Sequence, residues 1–150
     1  MITEYLNLED IDMERALLSI IDNKLVNYFN STLKKVPPGV RELHYKREVL
    51  NALFSFYFNN KRLFSSINPL FYKEAFTSEE TKSLSVKLNV SNLELLDFYC
   101  TIDNRDKKKQ AEYILTSILV FFKSEKITEL YYTKEKGLKT YRKDRIYNLI

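Results

Sequence analysis

Cysteine and histidine are almost absent from this sequence, which contains Cys100 and His44 and no others. A structural zinc site or an iron–sulfur cluster takes four ligands drawn mainly from these two residue types, so the chain cannot build either by itself. We therefore expect no metal or iron–sulfur cofactor. A lone cysteine also excludes an intrachain disulfide framework, which is typical of a reducing compartment, and we expect a cytoplasmic protein.

Glycine, proline and tryptophan are also scarce, at two, three and none. A many-stranded sandwich or barrel needs more turn residues than this. Glycines at positions 39 and 137 alone build neither a phosphate-binding loop nor a dinucleotide fingerprint. A serine or cysteine triad needs a histidine base, and the cations around His44 disfavour its protonation. We predict that the chain is not an enzyme on its own.

Long apolar runs are missing as well. The strongest one, residues 113–122, has half of the roughly twenty residues that cross a bilayer. The N-terminal residues are acidic, unlike the basic start of a targeting signal. We expect a soluble protein with no membrane partner.

Charged residues of one sign are clustered in blocks along the sequence. The net charge of +4 combines basic territories at residues 41–76 and 107–150 with acidic ones at 1–40 and 77–106. A basic block can attract a polyanion by neutralising phosphates, and it can also serve only to keep the chain soluble. Both interpretations stay open.

Helical periodicity and start signals predict a mainly α fold, a compact multi-helix domain over residues 1–150. The Pro-Pro-Gly segment at 37–39 ends the first helix, because proline cannot continue it. Capping boxes at 77–80 and 91–94 open two later helices, and Cys100 is expected to be a small buried hydrophobe. The predicted helices cover residues 12–34, 40–60, a short stretch near 70–76, 77–88, 91–100 and 107–123, with a break after residue 60.

The helix predicted over 40–60 has two faces at about 100° per residue. Its apolar face comprises Leu43, Leu50, Leu53, Phe54 and Tyr57. A separate polar stripe comprises Arg41, His44, Arg47, Asn51 and Ser55. The stripe is either a binding surface or a solvated face.

The C-terminal basic segment, 127–150, predicts a β-hairpin. Residues 127–133 are β-branched and aromatic, 134–137 supply a turn, and 138–142 can return. Tyr132 and Tyr141 would alternate with basic residues, a mixture suited to stacking on bases and pairing with phosphates. The alternative is an exposed strand edge kept soluble by lysines.

Two segments resemble a known family. Val36-Pro37-Pro38-Gly39-Val40, then Leu43-His44-Tyr45-Lys46-Arg47 and the apolar residues up to 58, resemble the C-terminal domain of the archaeal and eukaryotic primase large subunit. The family has a Pro-Pro-Cys-Ile segment and a His-x-x-Arg pair. Its cysteine, a ligand of a [4Fe–4S] cluster, falls on Gly39, and the match covers about 25 of the 150 residues. This departure fits the cluster-free, noncatalytic primase subunit of some archaea, which the chain resembles.

The resemblance implies a noncatalytic accessory subunit of a DNA primase. It would bind template and the initiating nucleoside triphosphate during primer synthesis, with the primase catalytic and large subunits as partners. By position, His44 and Arg47 would face the 5′ triphosphate, and Arg41 joins them from the stripe. Further candidates for contacts with single-stranded DNA or a primer-template are Lys46, Lys61, Arg62, Lys139 and Arg142.

Two other functions remain open at this stage. One is a helical nucleic-acid-binding subunit of another assembly, such as a CRISPR effector, in which the basic C-terminal territory matters more than the stripe. The other is a helical protein-interaction domain, whose binding would be insensitive to salt.

Overall fold

A computed structural model describes residues 16–65 and 80–143 and the backbone of a short strand at 145–146. In chain order its elements are β1 (Leu17–Asp22), α1 (Asn23–Thr32), α2 (Glu42–Asn59), α3 (Lys61–Ser65), β2 (Thr81–Val86), α4 (Val90–Asp103), α5 (Lys107–Ser124), β3 (Ile127–Thr133), β4 (Gly137–Arg142) and β5 (Arg145–Ile146).

The fold is mixed α/β, so the prediction of a mainly α domain is wrong. Of the described residues, 57% are in helices and 22% in strands. β1 and β2 form one antiparallel sheet, and β3, β4 and β5 form a second. Two segments predicted to be helical, residues 17–22 and 81–86, are strands here, because they pair with each other across a long separation in the chain. α1 confirms a later part of the helix predicted over 12–34.

β1 occupies part of the helix that was predicted over residues 12–34; residues 12–15 lie outside the described part. It runs antiparallel to β2, from Leu17 opposite Val86 to Asp22 opposite Thr81. The backbone N–H of Ile20 donates to Glu112 Oε2 of α5 at 2.8 Å. A strand edge that would otherwise be unpaired is thereby held against the central helix.

β2 replaces the helix that was predicted to follow the capping box at 77–80. Its sequence alternates small or polar residues with Leu84 and Val86, both buried, and Leu88 continues the alternation. This is the period of a half-buried strand. Residues 66–79, including the predicted short helix near 70–76, lie outside the described part of the chain.

The helices α2 and α5 confirm the predictions for residues 40–60 and 107–123. α5 is the central element and packs against β1, α1, α2 and α4. The Asp106 carboxylate caps it by accepting the Lys109 N–H at 2.7 Å, which offsets the three lysines of its first turn. One residue of the apolar face of α2 was assigned wrongly: Leu43 is 56% exposed.

Two predictions made from local sequence patterns, the break after residue 60 and the start of α4, are wrong. Residues 61–65 form α3 instead of a break. α4 begins at Val90 with Asn89 as its N-cap, rather than with a box at Ser91. Asn92 is only 2% exposed, and its amide hydrogen-bonds Asn51 and Ser55 of α2.

The hairpin predicted in the C-terminal segment is present as β3 and β4. Leu130, Leu138 and Thr140 face the core and are fully or almost fully buried. The Tyr45 hydroxyl accepts the N–H of Tyr132 at 2.9 Å, which fixes the hairpin to α2. Within the described residues, no helix is long and apolar enough to cross a membrane.

Candidate functional site

A pocket of about 630 Å³ lies where the first turns of α2 meet the turn of the β3–β4 hairpin. The loop before α2 forms its third wall. The lining residues are Pro37, Pro38, Gly39, Val40, Arg41, His44, Tyr45, Glu48, Tyr132, Thr133, Lys134 and Glu135. Two segments about 90 positions apart in the sequence thus form one site.

The start of α2 opens onto this pocket. Gly39 has φ +81°, a left-handed conformation that glycine adopts without strain, and the Val40 N–H bonds the Pro37 carbonyl at 3.2 Å. Arg41 is the N-cap residue and its side chain makes no capping bond. The first helical bond runs from the Tyr45 N–H to the Arg41 carbonyl. The backbone N–H groups of the helical residues before Tyr45 therefore have no partner within the helix, and this end of the helix is partially positive.

The charges around the pocket are mixed. Arg41, His44 and Lys134 are its basic groups, and Glu48 and Glu135 are its carboxylates. His44 Nε2 lies 3.5 Å from Glu48 Oε1, a distance that gives an ion pair whenever the imidazole is protonated. The pocket therefore offers both donors for phosphate and acceptors for hydroxyl or amino groups.

Two tyrosines form the inner wall. Tyr45 is almost completely buried and Tyr132 is half-buried. Burial raises the pKa of both phenols. The hydrogen bond from the Tyr132 N–H lowers the pKa of Tyr45 in part, and the negative charge of Glu48 raises the pKa of both. Both hydroxyls thus stay protonated well above neutral pH.

A second groove, of about 550 Å³, runs along the outer face of the hairpin and shares Pro38 with the pocket. Tyr131 and Tyr141 line it together with Lys35 and with Glu129, the one carboxylate among its described lining residues. Lys139 is the register partner of Tyr131 on the same face. Two half-buried aromatic rings beside two lysines form a platform next to the pocket.

The predicted triphosphate residues divide between two places. Arg41 and His44 line the pocket. Arg47 lies on another side of α2, where it donates to Ser85 Oγ of β2 at 3.0 Å and its buried Nε makes no hydrogen bond. Asn51 and Ser55 bind Asn92. The lower part of the polar stripe therefore packs against β2 and α4 and is not a solvated face.

The predicted strand-binding residues are scattered. Lys139 lies on the hairpin platform, and Lys46 is half-buried on α2 without lining the pocket. Lys61 and exposed Arg62 lie on α3, beyond the opposite end of α2. Arg142 pairs with Glu125, with Nη2 at 2.8 Å from Oε1. The structure brings only Lys139 close to the pocket.

Several lining residues escaped the sequence-based prediction. Glu135 and Glu48 belong to no motif. Lys134 was expected among the phosphate-pairing cations of the hairpin, but nothing in the sequence connects the hairpin turn with the start of α2. Tyr131 could have been found, because alternation from the buried Leu130 places it on the outer face and Tyr132 on the inner one.

Metal and thiol chemistry gain no support from the geometry. Among residues 16–65 and 80–143, no three His, Cys, Asp or Glu side chains are arranged to hold a metal ion. Cys100 is half-buried rather than buried as predicted, and burial raises the pKa of its thiol.

Comparison with known proteins gives no relative: no protein-family model, curated protein sequence or solved structure matches this chain. The function must therefore be argued from the pocket, the platform and their surroundings.

Proposed function

We propose that this chain is a noncatalytic accessory subunit of a DNA primase that binds a nucleoside triphosphate, or a triphosphorylated 5′ end, in the pocket at the start of α2. The supporting observation is the convergence of Arg41 and His44 at an open helix N-terminus with Lys134 of the hairpin turn. The resemblance of residues 36–58 to a primase domain favours the same role.

The phosphates fit the basic side of the pocket. The Arg41 guanidinium presents a planar fork of donors, and Lys134 supplies a mobile point charge. N–H groups at the start of a helix of 18 residues add further donors and the positive end of the dipole. Arg47, which the sequence placed in this group, has no part in the proposal because it faces β2.

The nucleoside fits the other side. Glu48 and Glu135 would repel an inorganic anion, but their oxygens can accept hydrogen bonds from ribose hydroxyls or a base amino group. A volume of about 630 Å³ is in the range of small-molecule sites. Mixed charge therefore favours a nucleotide over free phosphate.

The hairpin platform is the proposed contact for a single strand. Tyr131 and Tyr141 can stack on bases, while Lys35 and Lys139 neutralise phosphates. Pro38 lines both the groove and the pocket, so the two lie side by side. A template lying on the platform would bring its bases beside the bound nucleotide.

An accessory subunit also needs a surface for its partners. On α4, Leu95, Phe98 and Ile102 follow one another at helical spacing and remain exposed, the last two by 55% and 59%. An apolar stripe of this kind is typical of a helix that packs against another protein. The same stripe favours the second candidate function, a protein-interaction domain with no role for nucleotides.

Nucleotide binding tests the proposal directly. We expect Arg41→Gln and Lys134→Gln each to weaken binding of a fluorescent ATP analogue about tenfold or more, since each removes a charge-assisted hydrogen bond of roughly 1.5–3 kcal/mol. Matched controls are Arg62→Gln and Lys24→Gln, two exposed cations away from the pocket. Fluorescence anisotropy gives the affinities, and thermal melting shows that each variant is folded.

Arg47→Gln separates this proposal from the prediction made by sequence alone. It should lower the melting temperature and leave the affinity for the nucleotide within about twofold, because its side chain bonds β2. Equal affinities for the parent, Arg41→Gln and Lys134→Gln proteins would contradict nucleotide binding in this pocket. Binding of a protein partner that is unaffected by salt would then favour the interaction domain.

A further inference from the structure

A second polar cleft lies at the opposite end of α2. Its volume is about 280 Å³, and its walls come from α2, α3, α5, the last residue of α4 and the loop that follows it. The lining residues are Tyr57, Lys61, Phe64, Ser65, Asp103, Arg105 and Tyr113. With a rise of 1.5 Å per residue, Tyr57 of this cleft lies about 24 Å along α2 from Arg41 of the nucleotide pocket.

Lys61 is held in the cleft by aromatic rings. Its Nζ lies 4.7 Å from the centroid of Tyr57 and 4.2 Å from that of Tyr99, and it donates to the Tyr57 hydroxyl at 3.3 Å. No carboxylate in the described ranges is within 4 Å of this ammonium. Burial lowers the pKa of Lys61; the carboxylate of Asp103 raises it and the charge of Arg105 lowers it. The cation is thus fixed in place while lacking a direct counter-charge.

Arg105 is fixed on the other side of the cleft. Its guanidinium lies 4.0 Å from the Tyr113 ring centroid, and Nη1 donates to Gln110 Oε1 at 3.1 Å. Asp103 Oδ2 is 3.6 Å from Nη1 and also accepts from Gln110 Nε2 at 2.8 Å. Among the residues that the structure describes, Asp103 is the only carboxylate lining the cleft, and it is already engaged; with Lys61 and Arg105, this described lining has an excess of one positive charge.

We propose that this cleft binds one backbone phosphate of a single-stranded nucleic acid, between Lys61 and Arg105. A phosphodiester carries one negative charge, which matches the excess of the cleft, and its two free oxygens can face the two cations. Cations that alternate with aromatic rings are the usual composition of a single-strand groove. The inference rests on the proposed function, because it assumes that the ligand is a nucleic acid, and it adds a second anchoring point for the strand.

The test uses the full chain and a thymidine octamer with a 5′ hydroxyl and a 3′ fluorophore, so that no triphosphate is present. Lys61→Gln and Arg105→Gln should each weaken binding about threefold or more. Each should also reduce the slope of log affinity against log salt concentration by about one, the signature of one lost phosphate contact. Lys61→Arg keeps the charge and should keep the slope, and Lys24→Gln is the matched control.

Fluorescence anisotropy at several salt concentrations provides both readouts, with thermal melting as the check of folding. A Lys61→Gln protein that is folded and binds the octamer with the parent affinity and slope would overturn the inference; if that variant does not fold, Arg105→Gln decides by the same criterion. Unlabelled inorganic phosphate and thymidine monophosphate serve as competitors. If either displaces the octamer at a concentration equal to that of the octamer, the cleft is a site for free anions and not for a nucleic-acid strand. Failure here leaves ATP binding to the parent protein unchanged, so it is distinguishable from failure of the proposed function.

Discussion

Asn92→Ala is expected to loosen the contact that holds α4 against α2, the helix that carries both sites. Asn92 Nδ2 lies 3.0 Å from the Asn51 carbonyl, 2.9 Å from Asn51 Oδ1 and 3.0 Å from Ser55 Oγ. Its own oxygen accepts from Ser55 Oγ at 3.3 Å. The side chain is almost completely buried, so water does not replace these partners in the folded protein.

The expected loss follows from counting the groups. An amide nitrogen carries two hydrogens, so about three hydrogen bonds disappear in all, each with a net value of about 0.5–1.5 kcal/mol. Asn51 Oδ1 keeps the N–H of Asn89 at 2.9 Å, which limits the number of groups left without a partner. We therefore expect the free energy of unfolding to fall by about 2–3 kcal/mol.

Urea unfolding followed by circular dichroism measures this change. Asn30→Ala is the matched control, because Asn30 is an exposed asparagine in a helix and its replacement should change stability by less than about 0.5 kcal/mol. If Asn92→Ala were no more destabilising than Asn30→Ala, the network would not hold α4 to α2. Asn92→Asp should lower the free energy of unfolding more than Asn92→Ala does at neutral pH, because it buries a negative charge against oxygens that need a hydrogen-bond donor.

Four further predictions concern other parts of the fold. Arg142→Gln should cost about 1 kcal/mol of stability through its lost bonds to Glu125, and should leave the salt dependence of oligonucleotide binding unchanged, as anisotropy can check. Asn104→Val should lower the unfolding free energy by about 1–2 kcal/mol, because φ +54° at this C-cap disfavours a β-branched residue. Burial raises the pKa of Tyr57 to about 12. An unfolded tyrosine ionises near pH 10, so the free energy of unfolding should fall as the pH rises from about 10 to about 12. Urea unfolding of Tyr57→Phe should show a smaller loss of stability over the same pH interval. Cys100 should react with iodoacetamide at pH 8 more slowly than glutathione does, since burial raises its pKa.

Elements with a strong local signal were predictable. α5 has buried residues on most of its circumference, and its start is marked by Asp106. The hairpin has β-branched and aromatic strands around a turn with Gly137 at φ +73°. In both cases the local preference and the tertiary environment agree.

β1 is an element that local sequence patterns do not predict. Leu18 is 58% exposed while Ser19 is completely buried, the reverse of what their hydrophobicity predicts. The segment is a strand because it pairs with β2, 59 to 69 positions later in the chain, and because Glu112 covers its edge. For β2, the alternation around Leu84 and Val86 favours a strand and the capping box at 77–80 favours a helix, and pairing with β1 decides between them.

Composition alone shows that cysteine and histidine are too few for a cluster, and local patterns account for the two basic territories, the hairpin and the helices over 42–59 and 107–124. These follow from composition and from the period of apolar residues, which act over a few turns or one strand pair. The strands at 17–22 and 81–86 depend on tertiary contacts that local patterns do not reveal. The same holds for the division of the polar stripe, whose Arg41 faces the pocket and whose Arg47 faces β2. The physical reason is that these outcomes depend on which distant segment packs against each face, and the same packing brings Lys134 to Arg41 and Arg105 to Lys61.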